Sequence, residues 1–500
     1  MNYGQFLNMM PEAFLVLELI VMFIADFALT KSETKLSKLW TIAVGTLLFQ
    51  TCLLFGTMEP TSAFGGLYVS SQAINAMKII LTAGTLIVVM MSRGWLESKQ
   101  VNKLTSGQVD TNGSSTRQLV NSSTEYSGEF FMLVQSTLLG MYMMMSSGHF
   151  MMFFLGLEMA SVPMACLVAM DKWKKDSAEA GAKYILTATF SSAIMLYGIS
   201  FIYGACGTLY FDDVAATISV TPMTIAGLVF FFAGLGFKLS LVPFHFWTAD
   251  TYQGAPTAVT GYLSVISKGA AAFALCAILM KVFAPMTAQW EILLYVVIVL
   301  TITIGNLFAM RQSELKRFMA FSSISQAGYI MLAVIGNSTM GVASLMFYTL
   351  IYVAANLAVF SVIGVVERNN GGNTDRSALE GFYQTNPKLS LLMTLALFSL
   401  AGIPPFAGMF SKFFVFMAAA EQGSFWAYFV VFVALINTVP SLYYYLLIVK
   451  EMYIKDSENP MPTFRSDAAT KLALAICTAG IVLFGVCSCV YEWLNSMAAA

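Results

Sequence analysis

Thr221 to Phe246 reads TPMTIAGLVFFFAGLGFKLSLVPFHF. The run is long enough to cross a bilayer, which takes about 20 mostly apolar residues. Near its end it carries a cation, Lys238, and a proline, Pro243. Proline removes a backbone donor and clashes with the turn before it, so it kinks or interrupts a helix. In a membrane such a break is tolerated where it lines a cavity or is buried in protein. One charged, broken span therefore predicts a bundle of helices around a polar interior.

The rest of the chain has the same character. Hydrophobic residues make up 58% of its 500 residues and charged residues 11%, against about 45–50% and about 25% in soluble domains. The excess runs through both halves, and no separate soluble domain stands out. Stretches of spanning length are 13–30, 39–55, 74–92, 129–146, 148–170, 179–206, 221–246, 256–283, 288–310, 315–336, 340–365, 388–420, 424–448 and 470–493. The predicted fold is all-α and polytopic, with about 14 transmembrane helices; runs this long exclude barrel strands. Ala13 to Thr30 contains Glu18 and Asp26 and lacks a small-residue cleavage pattern, so it reads as a retained span. A net charge of −1 argues against a nucleic-acid partner.

All but six of the 26 lysines and arginines fall in alternate loops: Lys31, Lys35 and Lys38; Arg93, Lys99, Lys103 and Arg117; Lys172, Lys174 and Lys175; Arg311, Lys316 and Arg317; Arg368, Arg376 and Lys388; Lys450, Lys455, Arg465 and Lys471. The intervening loops hold acids such as Glu59, Asp212, Asp213 and Glu421. Positive loops stay in the cytoplasm, so an inner-membrane protein with both termini periplasmic is expected. Arg93 to Gly128, rich in Ser, Thr, Asn and Gly, reads as a mobile cytoplasmic connection, and Glu367 to Lys388 as a second one.

The six remaining cations are Lys78, Lys183, Lys238, Lys268, Lys281 and Lys412; with them in the spans are Glu18, Asp26 and Glu158. A charge at the bilayer centre costs at least ~2.5–3.5 kcal/mol, and such groups mark ion paths or interhelical salt bridges. Lys78 and Lys281 fall near the outer surface and are expected to snorkel. Glu158, Lys238 and Lys268 fall near mid-membrane. Lys412 lies in the second half of its span and Lys183 near a cytoplasmic end. Burial weakens an ammonium's hold on its proton and an approaching carboxylate strengthens it, so Glu158 and Lys238 suit a proton switch.

A second break, AGIPPFAGMFSK, holds Pro404 and Pro405 before Lys412. The two broken spans are each fourth in a block of five, spans 4–8 and 9–13, the pattern of an inverted-repeat transporter. The expected divisions are 1–128, an N-terminal three-helix segment with its loop; 129–284 and 285–449, the two repeats; and 450–500, a loop and last helix.

The stretch GFKLSLVPFHFWTADTYQGAPTAVT, Gly236 to Thr260, resembles the signature of the antiporter-like subunits of proton-pumping NADH-quinone oxidoreductase, complex I. Ser264 to Lys268, Leu157-Glu158, Lys183-Tyr184 and Leu315 to Ser323 are similar to that family too; the likeness is dense over roughly 129–449. Within the family, the motif around Pro404, Pro405 and Lys412 looks most like the N type. The M type has glutamate at the position of Lys412, and the L type has a longer C-terminal extension than a chain stopping at Ala500.

The resemblance implies that Glu158 is the span-5 glutamate, Lys238 its partner, Lys268 the central lysine, Lys412 the terminal lysine, and Lys183 a tuning group. It implies protons driven by quinone reduction elsewhere. NADH, FMN, iron–sulfur clusters and quinone then belong to other subunits, and K- and M-type subunits flank this one. Where many relatives have a histidine relay this chain has Gln326, which organises water but does not titrate near neutrality. His245, beside the first break, can titrate, or simply cap or pack. The seven cysteines lie in apolar stretches without a CxxC, and the 33 methionines read as apolar filling; neither suggests a metal or redox centre in this chain. The alternatives are an Mrp-type monovalent cation/proton antiporter subunit and a purely structural membrane subunit.

Overall fold

The computed structural model describes residues 3–30, 34–105, 125–455, 461–487 and 489–499. Lys31 and Arg117, assigned to basic loops, lie outside the described residues, as does the Ser/Thr/Gly-rich part of the long connection. Two helices, α1 (Met10–Ala28) and α2 (Lys35–Gly56), precede a short antiparallel hairpin of β1 (Thr61–Ala63) and β2 (Tyr68–Ser70). Then come α3 (Gln72–Thr105), α4 (Glu125–Met145), α5 (Phe150–Val168), α6 (Lys175–Cys206) and the short α7 (Phe211–Thr217). The first broken span is α8 (Pro222–Leu239) and α9 (Phe246–Gly254). The next is α10 (Thr257–Tyr262) and α11 (Lys268–Lys281), joined by a π-helical turn, Leu263–Ser267. The second half has α12 (Thr287–Ala309), α13 (Leu315–Ile335), α14 (Thr339–Asn369), α15 (Phe382–Thr385), the broken pair α16 (Pro387–Ala401) and α17 (Ala407–Glu421), and α18 (Phe425–Tyr453). The last two helices are α19 (Ala468–Val486) and α20 (Cys489–Ala499).

Twelve spans among the described residues are long and apolar enough to cross a membrane. The other two stretches expected from sequence coincide with α4 and with the α16/α17 pair. Burial sorts the helices into layers. The apolar window of α13 is wholly buried, and α3, α10/α11 and α14 are nearly so, while α1, α2, α18 and α19 turn most of their apolar surface outward. Charged and polar groups on the inner helices therefore face protein, where the bilayer cannot penalise them.

Close packing rests on small residues, since lipid provides no hydrophobic drive between helices. A Cβ on Gly140 of α4 would lie 2.4 Å from the Ala160 amide nitrogen of α5, and one on Gly156 would lie 2.5 Å from the Met144 nitrogen. Gly198 of α6 meets α8 in the same way, 2.6 Å from the Phe231 nitrogen.

Several expectations are corrected. The connection expected over 93–128 is partly helical, because α3 runs on to Thr105 and α4 begins at Glu125. The second connection holds α15 and a 3-10 turn, Arg376–Leu379. The span ending at 246 continues past its break as α9, so the interruption lies within the element and not at its end. The last span is two helices, parted after Val486. Lys78 does not snorkel: it is fully buried, 2.6 Å from Glu12. Lys281 does sit half-exposed, 2.7 Å from Asp212.

Candidate functional site

The first break is built by satisfied backbone. Ser240 caps α8 in the left-handed region (φ 60), Leu241 donates to the Gly236 carbonyl (2.9 Å), and Trp247 Nε1 closes on the Phe237 carbonyl (3.1 Å). The Thr301 hydroxyl of α12 accepts from Val242 N (3.0 Å), pinning the break to the second half. The orphan carbonyls of a helix end are thus largely paired. Lys238 lies in the last turn of α8, where the helix dipole favours a cation.

The buried Lys238 ammonium donates to Ser161 Oγ (2.8 Å) and makes longer contacts with the Ala160 carbonyl (3.4 Å) and the Tyr184 hydroxyl (3.5 Å). Glu158 stands one turn before Ser161 on α5 and is only partly buried. No ion pair joins it to Lys238 among the described residues; the Lys238 ammonium is held by Ser161, one turn further along the same helix. Lys183 is not with them. It is half-exposed, and binds Glu179 (2.6 Å) and Asp250 (2.6 Å). Asp250 also holds Arg317 (2.6 Å), so this cluster ties α6 and α9 to α13. His245 is buried against Phe246, ring centroids 4.5 Å apart, and its side chain makes no cap bond.

Lys268 opens α11 directly after the π turn, a distortion often found at functional sites. Its ammonium donates to Ser323 Oγ of α13 (2.7 Å) and lies 5.5 Å from the centre of the Tyr252 ring. Ser323 in turn donates to the Tyr252 hydroxyl (3.3 Å). One helical turn along α13, Gln326 accepts from the Tyr348 hydroxyl and donates to Tyr445 (3.3 Å) and to the Leu400 carbonyl (3.4 Å). Ser322 pairs with the same Tyr445 hydroxyl (2.5 Å). Gln326, Tyr348, Tyr352 and Lys412 line one small cavity. Lys412 donates to the carbonyl of Ala401, the last residue of α16 (2.9 Å), and lies 5.1 Å from the Tyr329 ring centre.

Both breaks therefore give a lysine to a helix C-terminal end. Pro243 and Pro404-Pro405 form the two turns; Gly402 ends α16 with φ 88, and a Cβ there would press on the Lys412 side chain at 3.1 Å. Ser161, Tyr252, Ser323, Tyr348 and Tyr445 were missed by sequence reasoning, although hydroxyls inside otherwise apolar spans were the available signal. If a proton passes between Lys268 and Lys412 by way of this cavity, Gln326→Leu should slow it at least about tenfold, below the ~10²–10⁴-fold of a titrating acid–base group because the amide only organises the hydrogen bonds. Vesicle acidification checks this, and an unchanged rate would remove Gln326 from the path.

The family model described as "NADH:quinone oxidoreductase/Mrp antiporter, TM" matches residues 147–437. A relative from Phocaeicola vulgatus, NADH-quinone oxidoreductase subunit N, is 54% identical over all of both chains. The chain belongs to the subunit N family. A subunit of respiratory complex I from Thermus thermophilus, solved with bound aureothin, shares 28% identity with this subunit N family member, at a TM-score of 0.76 over 95% of this chain and 97% of that one. A chain of the Mrp complex from Dietzia sp. shares the fold, with a TM-score of 0.83 over 99% and 97% of the two chains at 19% identity. The all-α membrane architecture read from the sequence is that of the subunit N family.

Proposed function

We propose that this chain moves protons across the membrane along the axis Glu158, Lys238, Lys268, Gln326 and Lys412. As a member of the subunit N family it is an antiporter-like subunit in the membrane arm of proton-translocating NADH-quinone oxidoreductase. Its relatives carry the name of that enzyme. The observation that carries the axis is the run of three buried lysines, each bonded to an oxygen of a different helix: Ser161 of α5, Ser323 of α13 and Ala401 of α16. An ammonium held by hydroxyl and carbonyl oxygens, without a carboxylate in contact, is free to lose its proton and take another.

Quinone reduction in other subunits supplies the drive, and NADH, FMN, iron–sulfur clusters and quinone reside there. Among the described residues no three His, Cys, Asp or Glu side chains gather into a metal-binding group. In this reading Glu158 approaches Lys238 in one state and leaves it in another, with Ser161 taking its place. Lys183, held by Asp250, tunes the cytoplasmic end. About fourteen helices in two inverted repeats, 129–284 and 285–449, flanked by the 1–128 and 450–500 segments, form the unit. K- and M-type subunits lie at its sides, and both termini are periplasmic in an inner membrane. The fold shared with a chain of the Mrp complex fits the Mrp-type alternative as well, and the full-length relatives named subunit N favour the first reading.

Lys238→Ala tests the reading. In inverted vesicles, with the complex confirmed on a native gel, NADH oxidation and acidification should both fall by more than about tenfold, and by up to the ~10²–10⁴-fold of a lost acid–base group. Wild-type rates in an assembled complex would make Lys238 a structural charge and end the proposal.

A further inference from the structure

The acids of α1 have no part in that axis. Glu12, Leu15, Glu18 and Met22 form the buried stripe of the helix, and Asp26 continues it. At ~1.5 Å rise per residue, Glu18 lies ~9 Å from Glu12 and ~12 Å from Asp26 along the axis. The two outer acids are neutralised: Glu12 binds Lys78 (2.6 Å) and accepts from the Tyr68 hydroxyl (3.0 Å), and Asp26 binds Lys35 (2.9 Å). Glu18 is 1% exposed, and neither carboxylate oxygen has a hydrogen-bond partner among the described residues. Thr46 of α2 lies beside it, but its hydroxyl donates to the Ala43 carbonyl (3.2 Å).

The opposing helix supplies the second observation. Gly128, Gln135 and Tyr142 recur every seven residues on α4, which places them on one face. Gly128 meets Asp26, where a Cβ would fall 1.8 Å from the carboxylate, and Tyr142 lies within electrostatic range of both Glu12 and Glu18. The helices thus run antiparallel, and Gln135 stands at the height of Glu18. Gln135 is also 1% exposed, and its amide oxygen and nitrogen both lack partners among the described residues. Above this pair the Tyr142 hydroxyl bonds Thr82, and Thr82 donates to the carbonyl of Lys78 (2.6 Å). Thr46 on α2 lies beside Glu18, and Gln135 and Tyr142 line its side of α4; Gln50, Lys78 and Thr82 stand toward the Glu12 end, and the charges along the stripe are Glu12 with Lys78 and Asp26 with Lys35.

Two unpartnered polar side chains inside a bundle are costly unless something fills the bond. A structural polar network would pair them, as Glu12 and Asp26 are paired. We infer that α1 to α4 enclose a second proton-conducting column, separate from the lysine axis, in which Glu18 holds a transferable proton midway across the membrane. Gln135 is its positioning residue; Tyr142 and Thr82 connect it toward the Glu12–Lys78 end, and Asp26–Lys35 closes the other. The inference rests on the reading of this chain as a proton-moving subunit.

The test uses the assembled complex in inverted vesicles and dicyclohexylcarbodiimide, an apolar reagent for protonated carboxyls. The acid's proton passes to a carbodiimide nitrogen and its oxygen adds to the central carbon. Rearrangement to the N-acylurea loses no atoms, and mass spectrometry reads the adduct. Glu18 should label at about pH 6, at least about tenfold above the ion-paired Glu12 and Asp26, and labelling should fall as pH rises. Glu18→Gln should lower acidification per NADH oxidised at least about twofold, with Glu18→Asp restoring part of it. Where Glu18→Gln does not assemble, Gln135→Leu, which changes no charge, takes its place with the same expected fall. Absence of label from Glu18, or a wild-type acidification ratio in the assembled variant, overturns the column. Lys238→Ala is run alongside and read by its two absolute rates: if NADH oxidation and acidification both stay at wild type in the assembled complex, the proton-moving reading fails as well, whereas a fall of both in Lys238→Ala with a wild-type result for Glu18 sinks only the column.

Discussion

Lys268→Met is expected to abolish NADH-driven acidification of vesicles while the complex still assembles, and Lys268→Arg is expected to do the same. Methionine keeps the length of the side chain and removes the charge, whose placement at the bilayer centre costs at least ~2.5–3.5 kcal/mol, so folding does not suffer. Arginine keeps the charge and its bond to Ser323 Oγ, now 2.7 Å from the lysine, but a guanidinium does not give up its proton in a protein. A structural tie between α11 and α13 would be rescued by arginine; a proton carrier would not. The rate of dye-reported acidification, normalised to assembled complex, distinguishes them, with a fall of more than about tenfold expected for both variants. Pumping restored by arginine would show that Lys268 serves as a fixed charge.

Gly156→Val is expected to prevent assembly. The added Cβ would start 2.5 Å from the Met144 nitrogen, and the facing Gly140 leaves no slack, because its own Cβ position is 2.4 Å from the Ala160 nitrogen. Overpacking typically costs about 1–3 kcal/mol where side chains can shift; here the atoms met are backbone, so α4 and α5 must separate. Ser161 and Glu158 ride on α5 and would move away from Lys238. Native gels should show loss of the membrane arm, with Leu155→Val, on the exposed face of the same helix, as the control that assembles. Normal assembly of Gly156→Val would mean that the close α4–α5 approach is dispensable.

Much of this was legible in the sequence because membranes make charge conspicuous. A lysine within an apolar run has few reasons to be there, so Lys238, Lys268 and Lys412 stood out, as did the prolines that break the spans beside two of them. Partners were less legible. Ser161, Ser323 and Tyr445 are ordinary residues until three dimensions bring them to an ammonium or an amide. Lys78 was misplaced because depth along a helix was taken to decide its surroundings, whereas the β1–β2 hairpin folds Tyr68 over it and α1 brings Glu12. Pairing Glu158 with Lys238 as a switch said nothing of what holds the ammonium, which is Ser161. Spacing along two helices does not reveal which rotamer, or which nearby hydroxyl, wins. The run of α3 past Arg93 was missed because polar residues were read as loop, although nothing in that stretch breaks a helix.

The three buried lysines are also fasteners. Lys238 tethers α8 to α5, Lys268 tethers α11 to α13, and Lys412 tethers α17 to α16. A charge-assisted hydrogen bond is roughly twice as strong as its neutral counterpart. On the proposed axis, each departing proton would loosen one joint between two helices, and each arriving proton would tighten it. In that reading chemistry and mechanics would share a single moving part: a wave of protonation passing along the proposed axis would at the same time be a wave of slackening and gripping, able to pass a push from one end of the bundle to the other.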